Sequence, residues 1–402
     1  MANETIGDRI RIRRKLRGLS VRQAAGMAEI NPSTWSRIEN GTRGADNLQI
    51  LSNMASALRC TVAELVGDGI VPIAADTIGL VDDVHDILAA LVETDLDDEP
   101  TADPAHVDAL AAEVDLLEHI YRKGEFVNTA ARLSPFLRQL HATAVTATSA
   151  EDTRRALELT VQASHRTMNV LRNVGQRADA YLAGERARDA AAELDNPELK
   201  GIAAFTRAHA ALGCGSMERG LKFAGGGLRM LEGALSSHRT MAVAGQLHLT
   251  CAMTLYGLKR GNEAEVHLRE AEDLAQRTGD CGQDLGWFGP TNLAIWTLAM
   301  EVDRDPRKAV AIAKATNPHA IDAPTRQASF YLDAARACAR IGTRESDAAA
   351  VRMLASAERL VPQRVRFNPL AREALRVVVM RARRNAINSE LRGLCERIGV
   401  AA

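Results

Sequence analysis

Between residues 6 and 66 the apolar positions recur at helical spacing, in short runs broken by helix-stopping signals. Ile6, Ile10 and Leu16 mark a first helix, and Gly18-Leu19-Ser20 ends it and caps a short Ala-rich helix from Val21 to Ala28. Leu48, Leu51, Met54, Ala55 and Leu58 mark a fourth helix, and Thr61 caps a fifth carrying Val62 and Leu65. The third, between them, is barely more than two turns. Asn31 can accept from the free N–H groups at its start, Pro32 suits the first helical position, and Gly41 supplies the permissive backbone of its stop. Trp35 and Ile38 form a narrow apolar strip that seats this helix on its neighbours, which leaves Ser33 and Arg37 on a face free to meet a partner.

Beyond this unit the pattern changes. Residues 67–106 read as a connector with one amphipathic helix, in which Val81, Val84, Leu88 and Leu91 have heptad-like spacing. That helix can serve as a dimer contact, dock the first domain, or pack on the helices that follow it. From Val107 onward, helical patterns come in pairs whose inner breaks fall near Gly124, Gly175, Gly213 to Ser216, Gly261, Asp305-Pro306 and Gly342, a repeat of 37 to 51 residues. Paired helices at such a period predict a right-handed α-solenoid, in which each pair buries its apolar face on the next. The expected fold is all-α: a five-helix unit at 1–67, an acidic linker with one helix at 68–106, and a helical repeat domain at 107–402.

Composition agrees with this reading. Of the 402 residues 46% are apolar, 25% charged and only 3% aromatic, as suits a globular chain of helices packed through small and aliphatic side chains. A net charge of −1 conceals segregation. Residues 1–67 carry ten Lys or Arg against six acids, whereas residues 68–118 carry fifteen acids and no Lys or Arg. The first unit is therefore basic, as a phosphate-binding domain should be, and the acidic stretch reads as a solvated linker.

The words Gly18-Leu19-Ser20, Ala24-Ala25, Ser36-Arg37-Ile38-Glu39-Asn40-Gly41, Ala55-Ser56-Ala57-Leu58 and Glu64-Leu65, with their spacing, resemble the helix-turn-helix domain of the Cro and phage-repressor type, also called the xenobiotic-response-element family. The resemblance places the second helix across the DNA backbone and the third in the major groove. It makes Ser33, Thr34 and Arg37 base readers, Arg37 having the donor fork that matches guanine O6/N7. It puts Asn40, Arg43 and Arg13 against phosphates, and pairs Arg14 with Glu39 as a structural ion pair. Two positions depart from the family pattern: Val21 stands where a phosphate-holding glutamine is common, and Pro32 where a long polar reader is common. With Arg43 the only basic residue of the following loop, affinity should lean on a homodimer reading an inverted repeat of double-stranded DNA.

Residues 324–362 resemble a tetratricopeptide repeat. Phe330, Tyr331, Ala334, Ala335 and Cys338 lie on the first helix, Gly342 breaks the pair, and Val361-Pro362 closes it. A helix-turn-helix head on such a body resembles a large bacterial class of regulators, including peptide-sensing quorum regulators and many actinobacterial proteins; Gly286-Trp287-Phe288-Gly289-Pro290-Thr291-Asn292 with Ile295-Trp296 looks like the latter. In tetratricopeptide-like bodies the first helix of each pair lines the concave face. That implies a peptide or small-molecule effector meeting Asn173, Arg207, Gln246, Asn292, Trp296, Arg326 and Tyr331. Amides can grip a peptide backbone, an arginine can anchor a carboxylate, and the aromatic rings can cover an apolar group.

No other chemistry is indicated. The ten histidines lack metal spacing, the six cysteines form no Cys-x-x-Cys, and Gly225-Gly226-Gly227 does not follow a strand. The cysteines read as small residues of a reducing compartment, with Cys281 alone suited to sensing as a thiol. No metal, cofactor or enzymatic activity is expected. No run of eighteen apolar residues occurs, so no membrane contact and a cytoplasmic location are expected. The sequence-specific regulator competes with one other reading, a scaffold whose repeats hold a partner protein while DNA binding serves localisation.

Overall fold

The computed structural model describes residues 5–45, 47–60, 62–66, 78–283, 286–382 and 389–400. Apart from one small hairpin, the regular structure among these residues is helical. The chain divides into two compact units, one made of Met1–Gly69, Thr297–Pro318 and Arg326–Ala402, the other of Ile70–Trp296 and His319–Thr325.

The first unit opens with α1 (Ile6–Leu16), α2 (Val21–Met27), α3 (Pro32–Glu39), α4 (Leu48–Leu58) and α5 (Val62–Val66). Capping boxes Thr5/Asp8 and Ser20/Gln23 start α1 and α2, and the Asn31 side chain accepts from Ser33 N–H at the start of α3. Trp35 and Ile10 are fully buried among Ile6, Ala24, Ala25, Ile38, Leu51, Met54, Leu58 and Leu65. Leu16, which with Ile6 and Ile10 marks the first helix, is 81% exposed, because the spacing from Ile10 carries it off the buried stripe. The Thr61 cap lies outside the described residues. Gly7 has a steric role: a Cβ there would overlap the Ile38 carbonyl and stand 2.9 Å from that of Glu39, so glycine lets α1 lie directly on the end of α3.

The second unit contains α6 (Ile78–Glu93), α7 (Val107–Arg122), α8 (Phe126–Thr146), α9 (Ala150–Asn173), α10 (Ala180–Ala192), α11 (Pro197–Gly213), α12 (Met217–Met230), α13 (His238–Gly257) and α14 (Gly261–Thr278). From α7 to α14 the helices form an α-solenoid: each of α8 to α13 packs on the next, and α7, α9, α11 and α13 also stack on one another in turn. Positive-φ glycines make the turns at Gly124, Gly175 and Gly215; after α13 that place falls to Lys259, while Gly261 opens α14. The connector helix α6 packs on α8 and α10. It buries Leu80, Val84, Ile87, Ala90 and Leu91 and leaves Val81 exposed, a stripe of 3.6-residue period rather than a heptad seam.

After α14 comes the departure from an all-helical chain, a hairpin of β1 (Cys281–Gln283) and β2 (Gly286–Phe288), antiparallel with Cys281 opposite Phe288. Phe288, 1% exposed, lies over Gly245 of α13, where any Cβ would overlap its ring. Asp280 then caps α15 (Pro290–Arg304) by accepting from the Thr291 N–H at 3.0 Å and hydroxyl at 2.6 Å. α16 (Pro306–Ala315), α17 (Pro324–Ile341), α18 (Arg344–Leu360), α19 (Pro362–Arg366), α20 (Pro369–Ala382) and α21 (Ser389–Ile398) complete the chain. Within the first unit Leu332, Leu354, Val365, Leu375, Val378 and Leu394 share one core. Of the two compact units, the second contains α6, and the first holds the last helices together with α1–α5.

Candidate DNA-binding surface and the polar stripe of the repeats

The α3 helix is held by one buried carboxylate. Glu39, 4% exposed, receives the Arg14 guanidinium through two bonds of 2.6 and 2.9 Å, and its Oε1 also accepts the Trp35 indole N–H. Arg14 donates further to Leu19 O at 2.8 Å, and the carboxylate raises its pKa above the ordinary arginine value. One side chain thereby fixes α1, α3 and the Trp35 ring together. The sequence pairing of Arg14 with Glu39 is present; the indole as a third member carried no sequence signal.

With Trp35, Ile38 and Glu39 buried, the opposite face of α3 is open, and Ser33 and Arg37 are exposed with Thr34 half-buried beside them. Asn31 Oδ1 accepts from both the N–H and the hydroxyl of Ser33, and Arg37 Nε reaches back to Ser33 O at 3.3 Å. Asn40 and Arg43 are exposed at the C-terminal end, where Arg43 Nη1 approaches Thr34 Oγ1 at 3.4 Å. These five candidates form one surface. Arg13 is placed differently, 2.8 Å from Glu64 of α5. Arg11, which matches no contact position of the motif, stands at the end of α3: its Nη2 donates to Glu39 O and, at 3.0 Å, to Asn40 Oδ1.

The effector candidates separate by unit. Arg326 and Tyr331 belong to the first, where Tyr331 packs edge-on to Phe330 and against the C-terminal core. In the second, Arg207 is turned toward α10 and α12, 2.9 Å from Glu185 and stacked over the Phe223 ring. Asn173 lies on α9, Gln246 on α13, and Asn292 and Trp296 on α15, each the first helix of its pair. Asn173 Nδ2 donates to Tyr121 Oη at 3.1 Å, Gln246 Nε2 donates to Trp287 O at 2.9 Å, Trp296 meets the His209 ring edge-on, and Asn292 is 1% exposed. The Gln246 Oε1, with no surface open to solvent, has no hydrogen-bond partner among the described residues.

Between these residues runs a polar stripe built on two histidines that lack metal spacing in the sequence. Asn169 Nδ2 lies 3.0 Å from His165 Nε2, and His165 Nδ1 lies 3.0 Å from Thr206 Oγ1, whose own proton goes to Ile202 O. His165 is therefore the neutral Nδ1–H tautomer. Arg172 donates to His209 Nδ1 at 3.1 Å, so the His209 proton sits on Nε2 and is given to Thr250 Oγ1 at 3.1 Å. Each histidine lies a helix away from its threonine partner, a relation visible only in three dimensions.

Burial, with Arg172 adding to it, pushes the His165 pKa down to about 3 from 6.5. The unfolded chain takes up this proton near pH 6.5 and the folded chain only near 3, so stability is full above 6.5 and falls with pH between those values. The expected slope approaches about 1.4 kcal/mol per pH unit for this group. Unfolding free energy measured from pH 7 to 4 should fall less steeply in His165→Asn than in the parent. An identical slope in both proteins would show that His165 is not held neutral.

Among the described residues no group of three His, Cys, Asp or Glu side chains could hold a metal, and no helix is long and apolar enough to cross a membrane. Cys60, Cys214, Cys251, Cys281, Cys338 and Cys395 are free thiols, with Cys251 pushed up to about 12 by burial.

With this geometry in place, comparison with known proteins gives one match for the head: residues 5–66 fit a family model described as a helix-turn-helix domain. Residues 5–66 are a helix-turn-helix domain. No curated protein matches the sequence significantly. Among solved structures the chain is similar to Bacillus thuringiensis PlcR, crystallised in complex with the peptide PapR7 and DNA, at 17% identity over 68% of this chain and 95% of that chain, with a TM-score of 0.27. In this helix-turn-helix domain α2 and α3 are the turn-linked pair, and α3 is the helix whose exposed face carries Ser33, Thr34 and Arg37.

Proposed function

We propose that this chain is a sequence-specific transcriptional regulator whose head resembles the Cro and phage-repressor type, and that it works in the cytoplasm as a homodimer on an inverted repeat. The observation that carries this reading is α3 itself: a short helix locked on one side by Trp35, Ile38 and the Arg14–Glu39 pair, and presenting Ser33, Thr34 and Arg37 on the other. A single head reads only a few base pairs, so two heads with half-site centres about one DNA turn apart, or a multiple of it, are the economical solution. Light scattering together with footprinting tests this. A monomer that protects one half-site would contradict it.

The helical repeats, in this reading, sense a peptide or small molecule through the first-helix face that carries Asn173, Gln246, Asn292 and Trp296, an arrangement in keeping with the actinobacterial regulators the sequence resembles. The buried Gln246 Oε1 supports it, since an acceptor without a donor is costly and an incoming N–H group would satisfy it. Gln246→Ala and Asn292→Ala are each expected to weaken binding of the copurified effector by roughly 1–3 kcal/mol, read by calorimetric titration of folded variants. Parent-like affinity in both would remove this face from consideration.

A further inference from the structure

The loop that follows α3 is clamped by the C-terminal helix α20 of the same compact unit. Gly41 leaves α3 at φ 69°. The Arg43 N–H then turns back to Arg37 O at 3.1 Å, and Ala45 enters the head core at 3% exposure. On α20, Glu373 is 5% exposed, and its Oε1 accepts from Ala45 N–H at 2.8 Å. The same carboxylate takes both forks of Arg376, at 2.9 and 2.8 Å, and Arg376 Nη1 lies 3.4 Å from Gly41 O. Leu370, one helical turn before Glu373, packs against the head core beside this clamp.

The geometry has a direction. Ala45 is buried, so its N–H faces α20 and not the open surface of α3. The two anchors, Gly41 O and Ala45 N–H, flank Arg43, whose side chain stays exposed. An exposed arginine on a loop without anchors would lose conformational entropy on meeting a phosphate, and a loop fixed at both ends has already lost most of it. The ion pair that makes the clamp is also well suited to persist: a bidentate fork in partly buried surroundings, with the carboxylate raising the Arg376 pKa above its ordinary value.

We infer that Glu373 and Arg376 are positioning residues for DNA binding, which hold the Gly41–Ala45 loop so that Arg43 meets the DNA backbone. The last helices of the chain are in this way part of the DNA-binding machinery, and DNA affinity responds to their state. This inference rests on the reading of the head as a DNA-binding unit and goes beyond it.

The test uses the full chain and duplex DNA carrying its selected site, titrated over a range of salt concentrations. Glu373→Ala should lower affinity several-fold on specific and non-specific DNA alike and make the log–log salt slope shallower by up to about 1, as loss of one phosphate contact does. Glu373→Gln keeps an acceptor for the Ala45 N–H and should restore most of the affinity. Arg376→Gln, which removes the Gly41 contact, should reproduce part of the loss. In an Arg43→Ala background, Glu373→Ala should add nothing further. Parent-like affinity and slope in both Glu373→Ala and Arg376→Gln overturn the inference, as does a Glu373→Ala loss that is undiminished in the Arg43→Ala background. If the parent chain shows no salt-dependent DNA binding at all, the DNA-binding reading fails first and the inference falls with it.

Discussion

Glu39→Ala is expected to destabilise the helix-turn-helix head by about 3–5 kcal/mol, the usual cost of removing one partner from a buried ion pair. The variant leaves the Arg14 guanidinium, of which only 13% of the side chain is exposed, without its carboxylate, and it strips the Trp35 indole N–H of its acceptor. Both groups were desolvated on the strength of this one side chain, so the penalty exceeds the net worth of the pair. Against the roughly 5–15 kcal/mol that usually holds a folded unit together, a loss of this size should shift the unfolding midpoint well below that of the parent. Denaturant unfolding followed by Trp35 fluorescence, with the other two tryptophans replaced, measures this. A loss below about 1 kcal/mol would mean that the pair behaves as an exposed one and does not hold α1 to α3.

Arg37→Ala is expected to cost about 1–3 kcal/mol at one base pair and almost nothing elsewhere, as for the removal of one bidentate base contact. In the free protein Arg37 is exposed and its Nε makes a long 3.3 Å contact to Ser33 O, so little structure is lost with it. Titration against a set of singly substituted duplexes separates this from a phosphate contact. For Arg37→Ala one substitution series should become flat. For Arg43→Ala all should shift together.

The head was largely legible in the sequence because its signals are local. Caps at Ser20 and Asn31, the apolar strip of Trp35 and Ile38, and the motif words that place Arg14 against Glu39 all act within a few residues or through a strongly patterned family. The solenoid was legible as an architecture for the same reason, since its turns fall at Gly124, Gly175 and Gly215. What the sequence concealed depends on partners distant along the chain. The heptad-like spacing of α6 resolves into a 3.6-residue stripe only because α8 and α10 offer it a surface. Six residues of hairpin are too short to register as strands, and Phe288 finds its seat only where α13 has Gly245.

The site residues divide along the same line. The α3 face was found because exposed and buried positions alternate within one helix. Arg207 was placed among the effector candidates from its position on a first helix, yet the Glu185 carboxylate and the Phe223 ring draw it to the other side. Glu373 carried no signal at all: it sits 328 residues from the Ala45 N–H that it holds. A carboxylate of this kind is recognisable only once the fold shows it buried beside a loop.

Selection from random duplex DNA, run side by side on the full-length parent and on Arg37→Ala, tests most directly whether α3 reads sequence. The expected result is an enriched motif with twofold symmetry for the parent, and for the variant the same motif with one position in each half-site flattened. Failure of the parent to enrich any motif, or an identical motif from both proteins, would contradict the assignment of α3 as the reading helix.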